Sequence, residues 1–150
     1  RYKQQDVLVY SLDGKIIDNI ILNEGIPHDG CVFKNKFIYT VVNGKIIEIN
    51  KNNFNEKKIF DLNKFQKDNK SLGWCRGFQK IDSNNYVGFS RIRPTKFIEN
   101  VKWLGNKLSD KVKLKMPTRL VCYDKNYSKL IKEINLEDYR INWIFSILKN

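Results

Sequence analysis

Lys45 to Leu62 reads KIIEINKNNFNEKKIFDL, and the grouping of its apolar residues decides the fold. Ile46-Ile47-Glu48-Ile49 is a short strand of the β-branched residues that suit a pleated, half-buried surface. Lys51-Asn52-Asn53 is a polar turn, and Lys58-Ile59-Phe60-Asp61-Leu62 is a second strand with its apolar residues near its end. Asn tolerates positive φ, so this turn closes a hairpin. The layout recurs in Val7 to Leu22, which turns at Asp13-Gly14, and in Arg119 to Leu136, which turns at Lys125-Asn126. An internal repeat of this kind bears on the whole architecture.

Between the repeats lie two hairpins with more apolar first strands. His28 to Val42 turns at Lys34-Asn35-Lys36, and Trp74 to Ile92 turns at Asp82-Ser83-Asn84-Asn85. Asn142 to Leu148 reads as the first strand of another. With the strands of a unit labelled A to D from inside to outside, the chain reads C-D, A-B-C-D, A-B-C-D, A. The expected fold is therefore all-β: a β-propeller with four-stranded antiparallel blades, present in part. Its pieces are a C-D hairpin at 7–22, a blade at 28–62, a blade at 74–136 and a final strand at 142–148.

The starts at His28 and Trp74 fit the ~40–50-residue spacing of propeller blades. An ordinary β-sandwich does not account for the near-repetition of the C-D hairpins. Because a propeller needs at least ~4 blades, the chain is expected to be an excerpt. The remaining blades would come from a missing N-terminal part or from another chain. Strands are expected near 7–11, 15–22, 29–33, 37–42, 45–50, 56–61, 75–81, 86–92, 119–124, 129–135 and 142–148. Residues 93–117 form an insertion between strands B and C of the second blade, opened by Arg93-Pro94 and closed by Met116-Pro117. Ordered insertions of this length are uncommon and often functional.

The 28 Lys and Arg against 16 Asp and Glu leave a formal charge of +12. Such a charge attracts polyanions, yet the lysines stand singly among asparagines, which points to weak, sequence-independent contact with nucleic acid. No apolar run approaches the ~20 residues of a membrane span. Cys31, Cys75 and Cys122 are an odd number without C-x-x-C spacing, so buried thiols in a soluble, cytoplasmic protein are expected. Neither a Gly-rich phosphate loop nor a clustered metal set is present, and no cofactor or metal is implied.

Three stretches carry a resemblance to a known family: Gly25-Ile26-Pro27-His28-Asp29-Gly30, Trp74-Cys75-Arg76-Gly77-Phe78, and Val87-Gly88-Phe89-Ser90-Arg91-Ile92-Arg93. Their order resembles a family of conserved hypothetical bacterial proteins of propeller-like fold, the DUF4915 type. There a Pro-His element opens one blade, an Arg-Gly element opens the next, and an insertion follows a Val-Gly-Leu-Ser-like strand. Ile144-Phe145-Ser146-Ile147-Leu148 looks like that family's C-terminal strand, so the resemblance implies the C-terminal portion of such a protein and no settled activity. The second His-Asp-Gly usual after Pro-His in that family is not duplicated here. A more distant similarity, to arylsulfotransferase-like propellers, rests on His28-Asp29 alone.

Propeller topology brings the D-to-A and B-to-C connections to one face, around the mouth of the central channel. That rule gathers His28, Asp29, Asn43, Trp74, Arg76, Ser90, Arg91, Arg93, Arg140, Asn142 and Trp143. His28 and Arg76 are the candidate catalytic pair, an imidazole for acid/base work and a guanidinium for charge stabilisation. Asp29, Trp74, Ser90, Arg91, Arg93, Asn142 and Trp143 are candidate ligand-binding residues. Asp29 can equally shape the turn at Gly30, and Trp74 and Trp143 can equally plug the core. Ser90 lacks the G-x-S-x-G surroundings of a nucleophile elbow. The first expectation is a binding module for an anionic small molecule, glycan or partner peptide. The alternative is an enzyme acting on an anionic or carbohydrate substrate.

Overall fold

A computed structural model describes residues 6–66, 71–92 and 116–148. Within them are ten strands: β1 (Asp6–Tyr10), β2 (Ile16–Ile21), β3 (Pro27–Phe33), β4 (Lys36–Val41), β5 (Lys45–Asn50), β6 (Asn53–Asp61), β7 (Trp74–Ile81), β8 (Asn84–Ser90), β9 (Arg119–Tyr123) and β10 (Leu130–Asn135). Helix among the described residues is confined to short 3-10 turns at Leu62–Phe65 and Glu137–Tyr139. The insertion expected at 93–117 lies almost wholly outside the described residues, which resume at Met116.

The strands form three antiparallel sheets: β1-β2, β3-β4-β5-β6 and β7-β8-β9-β10. Each four-stranded sheet is a meander of sequential neighbours. Tight turns allow this. Phe33 pairs with Lys36 across a two-residue connection, and Ile81 pairs with Asn84 across another. Lys34 and Asp82 in these turns adopt positive φ, as primed hairpin turns require.

The sheets stack face to face. One apolar cluster joins Ile38, Ile46 and Leu62 of the middle sheet and its edge to Cys75, Phe78, Val87, Phe89, Val121 and Tyr123 of the third. A second joins Val41, Ile47 and Ile49 of the middle sheet to Val7, Val9 and Ile20 of the first. β5 therefore has both faces covered, and Ile46, Ile47, Glu48 and Ile49 are all buried. This explains why the segment reads as a continuous apolar run: a strand covered on both faces has no reason to alternate. β3 lies against β7, and Cys75 N–H donates to the Val42 carbonyl at 3.4 Å, joining the two four-stranded sheets at one end.

Ten of the eleven expected strands are present, their ends within three residues of those read from the sequence. The eleventh is not a strand. Residues 141–148 make no ladder and are held by side chains instead. The Ser90 hydroxyl donates to the Ile144 carbonyl at 3.2 Å and accepts from its N–H at 2.9 Å. Thr118 Oγ1 donates to the Asn142 carbonyl at 2.7 Å and accepts from Arg91 N–H at 3.1 Å. A strand exists only by pairing with a neighbour. Among the described residues no second strand follows to pair with this one.

Candidate functional site

The register places the candidate residues at one end of the two four-stranded sheets. Pro27 pairs with Val41 and Val41 with Lys45, while Trp74 pairs with Ser90 and Phe89 with Arg119. His28, Asn43, Trp74, Ser90 and Arg91 therefore share that end. The first strand of each four-stranded sheet is bulged there: the pairing of β3 with β4 shifts between Pro27 and Asp29, and that of β7 with β8 between Arg76 and Phe78. Bulges bend a strand and re-aim its side chains, and they recur next to functional sites. Gly77, at φ +72°, is the unpaired residue of the second. It lets Cys75 and Phe78 both face the core while Trp74 and Arg76 face the other way.

His28 is exposed, and it is the residue left unpaired at the β3 bulge, between Pro27 opposite Val41 and Asp29 opposite Thr40. Its imidazole holds a proton less readily than a free one; partial burial is the main cause, the Arg76 charge the second, and Asp29 acts in the opposite sense. His28 and Arg76, from different sheets, are thus within electrostatic reach. The Arg76 guanidinium also lies 5.3 Å from the centre of the Trp74 ring, a cation–π arrangement that fixes a planar fork beside an indole.

The other candidates divide by what their polar atoms do. Asp29 accepts from Gly30 N–H at 2.9 Å, but both residues lie within β3, paired with Thr40 and Tyr39, so the turn expected at Gly30 is extended strand instead. Ser90 is buried, with its hydroxyl wholly engaged by Ile144. Arg91 reaches Glu137 at 3.5 Å, and Glu137 in turn accepts from Thr118 N–H at 3.0 Å. Asn142 contributes its carbonyl to Thr118, and its side chain is exposed. Trp143 stays 40% exposed on the 141–148 segment rather than plugging the core. Arg140 ends the 3-10 turn in a left-handed conformation, and Arg93 lies outside the described residues. Asn43 donates to the Glu24 carbonyl at 2.7 Å, whereas its buried Oδ1 accepts no hydrogen bond among the described residues.

One residue that sequence reading passed over is Arg119, 1% exposed at the start of β9. Its Nη1 donates to the carbonyls of Leu72 at 2.9 Å and Pro117 at 3.2 Å, and its guanidinium lies 4.8 Å from the Phe89 ring centre. Glu133 supplies the countercharge, 3.5 Å from Nε. Arg119 binds the connection between the sheets to β9 and is architectural. The signal was in the sequence: an Arg heading the apolar run Leu120-Val121-Cys122-Tyr123 needs partners as much as Arg76 does.

Two of the three thiols, Cys31 and Cys75, are inert by environment. Burial pushes Cys31 up to about 11, and it pushes the fully buried Cys75 higher still. Among the described residues no group of three His, Cys, Asp or Glu is placed to hold a metal ion, and no helix is long and apolar enough to cross a membrane. Comparison with family models gave no match, and neither did comparison with curated proteins or with solved structures.

Proposed function

We propose that the chain is part of a β-propeller resembling the DUF4915 type, and that it is a binding module whose channel end takes an anionic small molecule, glycan or partner peptide. Three face-to-face sheets, two of them four-stranded meanders whose first strands lie side by side, support the propeller reading. The observation that carries the binding reading is the convergence of His28 and Arg76 from neighbouring sheets, with Trp74 under the guanidinium. A guanidinium forks onto carboxylate, sulfate or phosphate, an indole offers a stacking face to a sugar or peptide, and an imidazole adds a donor. At the same end, the buried Asn43 Oδ1 accepts no hydrogen bond among the described residues.

The chain has one histidine, so its imidazole resonance reports on this site alone. A panel of carboxylated, sulfated and phosphorylated sugars and short acidic peptides would be screened by that resonance. A bound anion is expected to raise the His28 pKa and to lose at least about tenfold in affinity on Arg76→Met. Binding that leaves His28 unperturbed and tolerates Arg76→Met would overturn the reading. An enzymatic role for the same pair, with His28 as acid/base, draws on the depressed pKa, which leaves a free base at neutral pH. Turnover of a bound panel member, lost in His28→Gln with binding kept, would distinguish it.

A further inference from the structure

The opposite end of the same sheets gathers lysines around Phe33. Lys80 Nζ lies 5.0 Å from the centre of that ring and Lys34 Nζ 5.7 Å from it. Lys36 pairs with Phe33 across the β3–β4 turn. Lys80 belongs to β7, so its contact with Phe33 spans two sheets. Lys80 pairs with Asn85, whose side-chain amide donates to the carbonyls of Asp124 at 2.7 Å and Lys125 at 3.2 Å, bringing the β9–β10 turn to the same place.

The carboxylates do not balance this charge. Glu48, 6% exposed, is paired with Lys36 at 2.5 Å. Asp124 is engaged in its own turn by the N–H groups of Ser128 and Lys129 and the Ser128 hydroxyl. Asp82 lies in the β7–β8 turn. Among the described residues no carboxylate lies within ion-pairing distance of Lys34, Lys80 or Lys125. Burial makes the Lys80 ammonium hold its proton less firmly; Glu48 opposes this, and the charges of Lys36 and Lys125 add to it. Behind the lysines, the buried Tyr127 hydroxyl has no hydrogen-bond partner among the described residues.

We infer that this turn end is an anion site, formed by Lys34, Lys80 and Lys125 from both four-stranded sheets, beside the Lys36–Glu48 pair, for a small molecule bearing a di- or polyphosphate group. Holding like charges together contributes nothing to folding, and a compact anion removes their repulsion. Ammonium groups on flexible stems act as point charges for phosphate oxygens. The site stands independently of the His28 end.

The test is a calorimetric titration of the chain with inorganic pyrophosphate at low ionic strength. One saturable site is expected, weakened at least roughly tenfold by Lys80→Met and at least roughly threefold by Lys125→Gln. Lys125 is exposed, so its substitution leaves the fold intact even where Lys80→Met does not. Lys132→Gln on β10, also exposed, is expected to leave binding unchanged. No saturable binding, or equal weakening by Lys132→Gln, would overturn the proposal. Displacement of pyrophosphate by duplex DNA that binds the same lysines more tightly would overturn it in favour of a nucleic-acid surface.

Discussion

At the residue scale the electrostatics of His28 are directly measurable. Its native pKa lies below the ordinary 6.5, with burial and then Arg76 as causes. The unfolded chain therefore binds more protons than the native one between those two values, and stability falls as pH drops through that window. An NMR titration is expected to place the His28 midpoint below 6.5, and Arg76→Met is expected to raise it. An unchanged midpoint in the variant would mean that the two charges do not meet. Arg119 and Ser90 make the contrasting case of polar groups spent on architecture. Arg119→Met leaves two carbonyls without their charged donor and is expected to cost on the order of 2–4 kcal/mol in urea unfolding. Ser90→Ala removes both bonds to Ile144 and is expected to cost about 1–2 kcal/mol without altering binding at His28.

At the element scale the bulge in β7 and the packing of residues 141–148 on it form one unit. A Cβ on Gly77 would stand 2.9 Å from both Ile144 and Ile147, in a backbone conformation that L side chains rarely adopt. A Cβ on Gly88 would meet the Arg76 carbonyl at 2.4 Å, where only backbone movement gives relief. Gly88→Ala is thus expected to be the more damaging, by several kcal/mol, and Gly77→Ala to cost about 1–3 kcal/mol. Thermal unfolding of the two variants checks the order, and hydrogen exchange at Ile144 should show that segment loosened in both. The hairpins were legible in the sequence because each is local: strand, turn and partner strand follow within twenty residues. The 142–148 segment was misread for the converse reason. Its run of apolar letters suits a strand, but no strand pairs with it among the described residues, and two hydroxyl groups hold it instead.

At the scale of the whole molecule, the two outer faces of the sheet stack are unlike the inner ones. The middle sheet is covered on both sides, whereas Ile17 on β2 is 64% exposed and Phe145 beyond the third sheet is 71% exposed. Apolar surface of this kind favours association. Sedimentation of the chain is expected to show concentration-dependent self-association, reduced by Ile17→Lys or Phe145→Lys. A strictly monomeric chain at high concentration would show that these faces do not drive association. Duplex DNA at physiological salt should bind weakly and without sequence preference, since lysines spread over many strands reach few phosphates together. Specific submicromolar binding would show the lysine surface to be a nucleic-acid interface.

The sequence alone determined the all-β class, the hairpin repeats and ten strand positions. These follow from side-chain alternation and turn chemistry, which act between near neighbours along the chain. It also placed His28 and Arg76 at one end of the sheets, because strand direction alternates regularly in a meander. Tertiary structure decided what each polar group does there. Ser90 and Thr118 fasten a distant segment, Arg119 is sealed between sheets, and Arg76 turns from the core because a glycine bulge shifts the strand by one residue. Such roles depend on which surfaces meet across dozens of residues of chain. Burial and partner choice are properties of those meetings, and the alternation of letters within any one strand does not carry them.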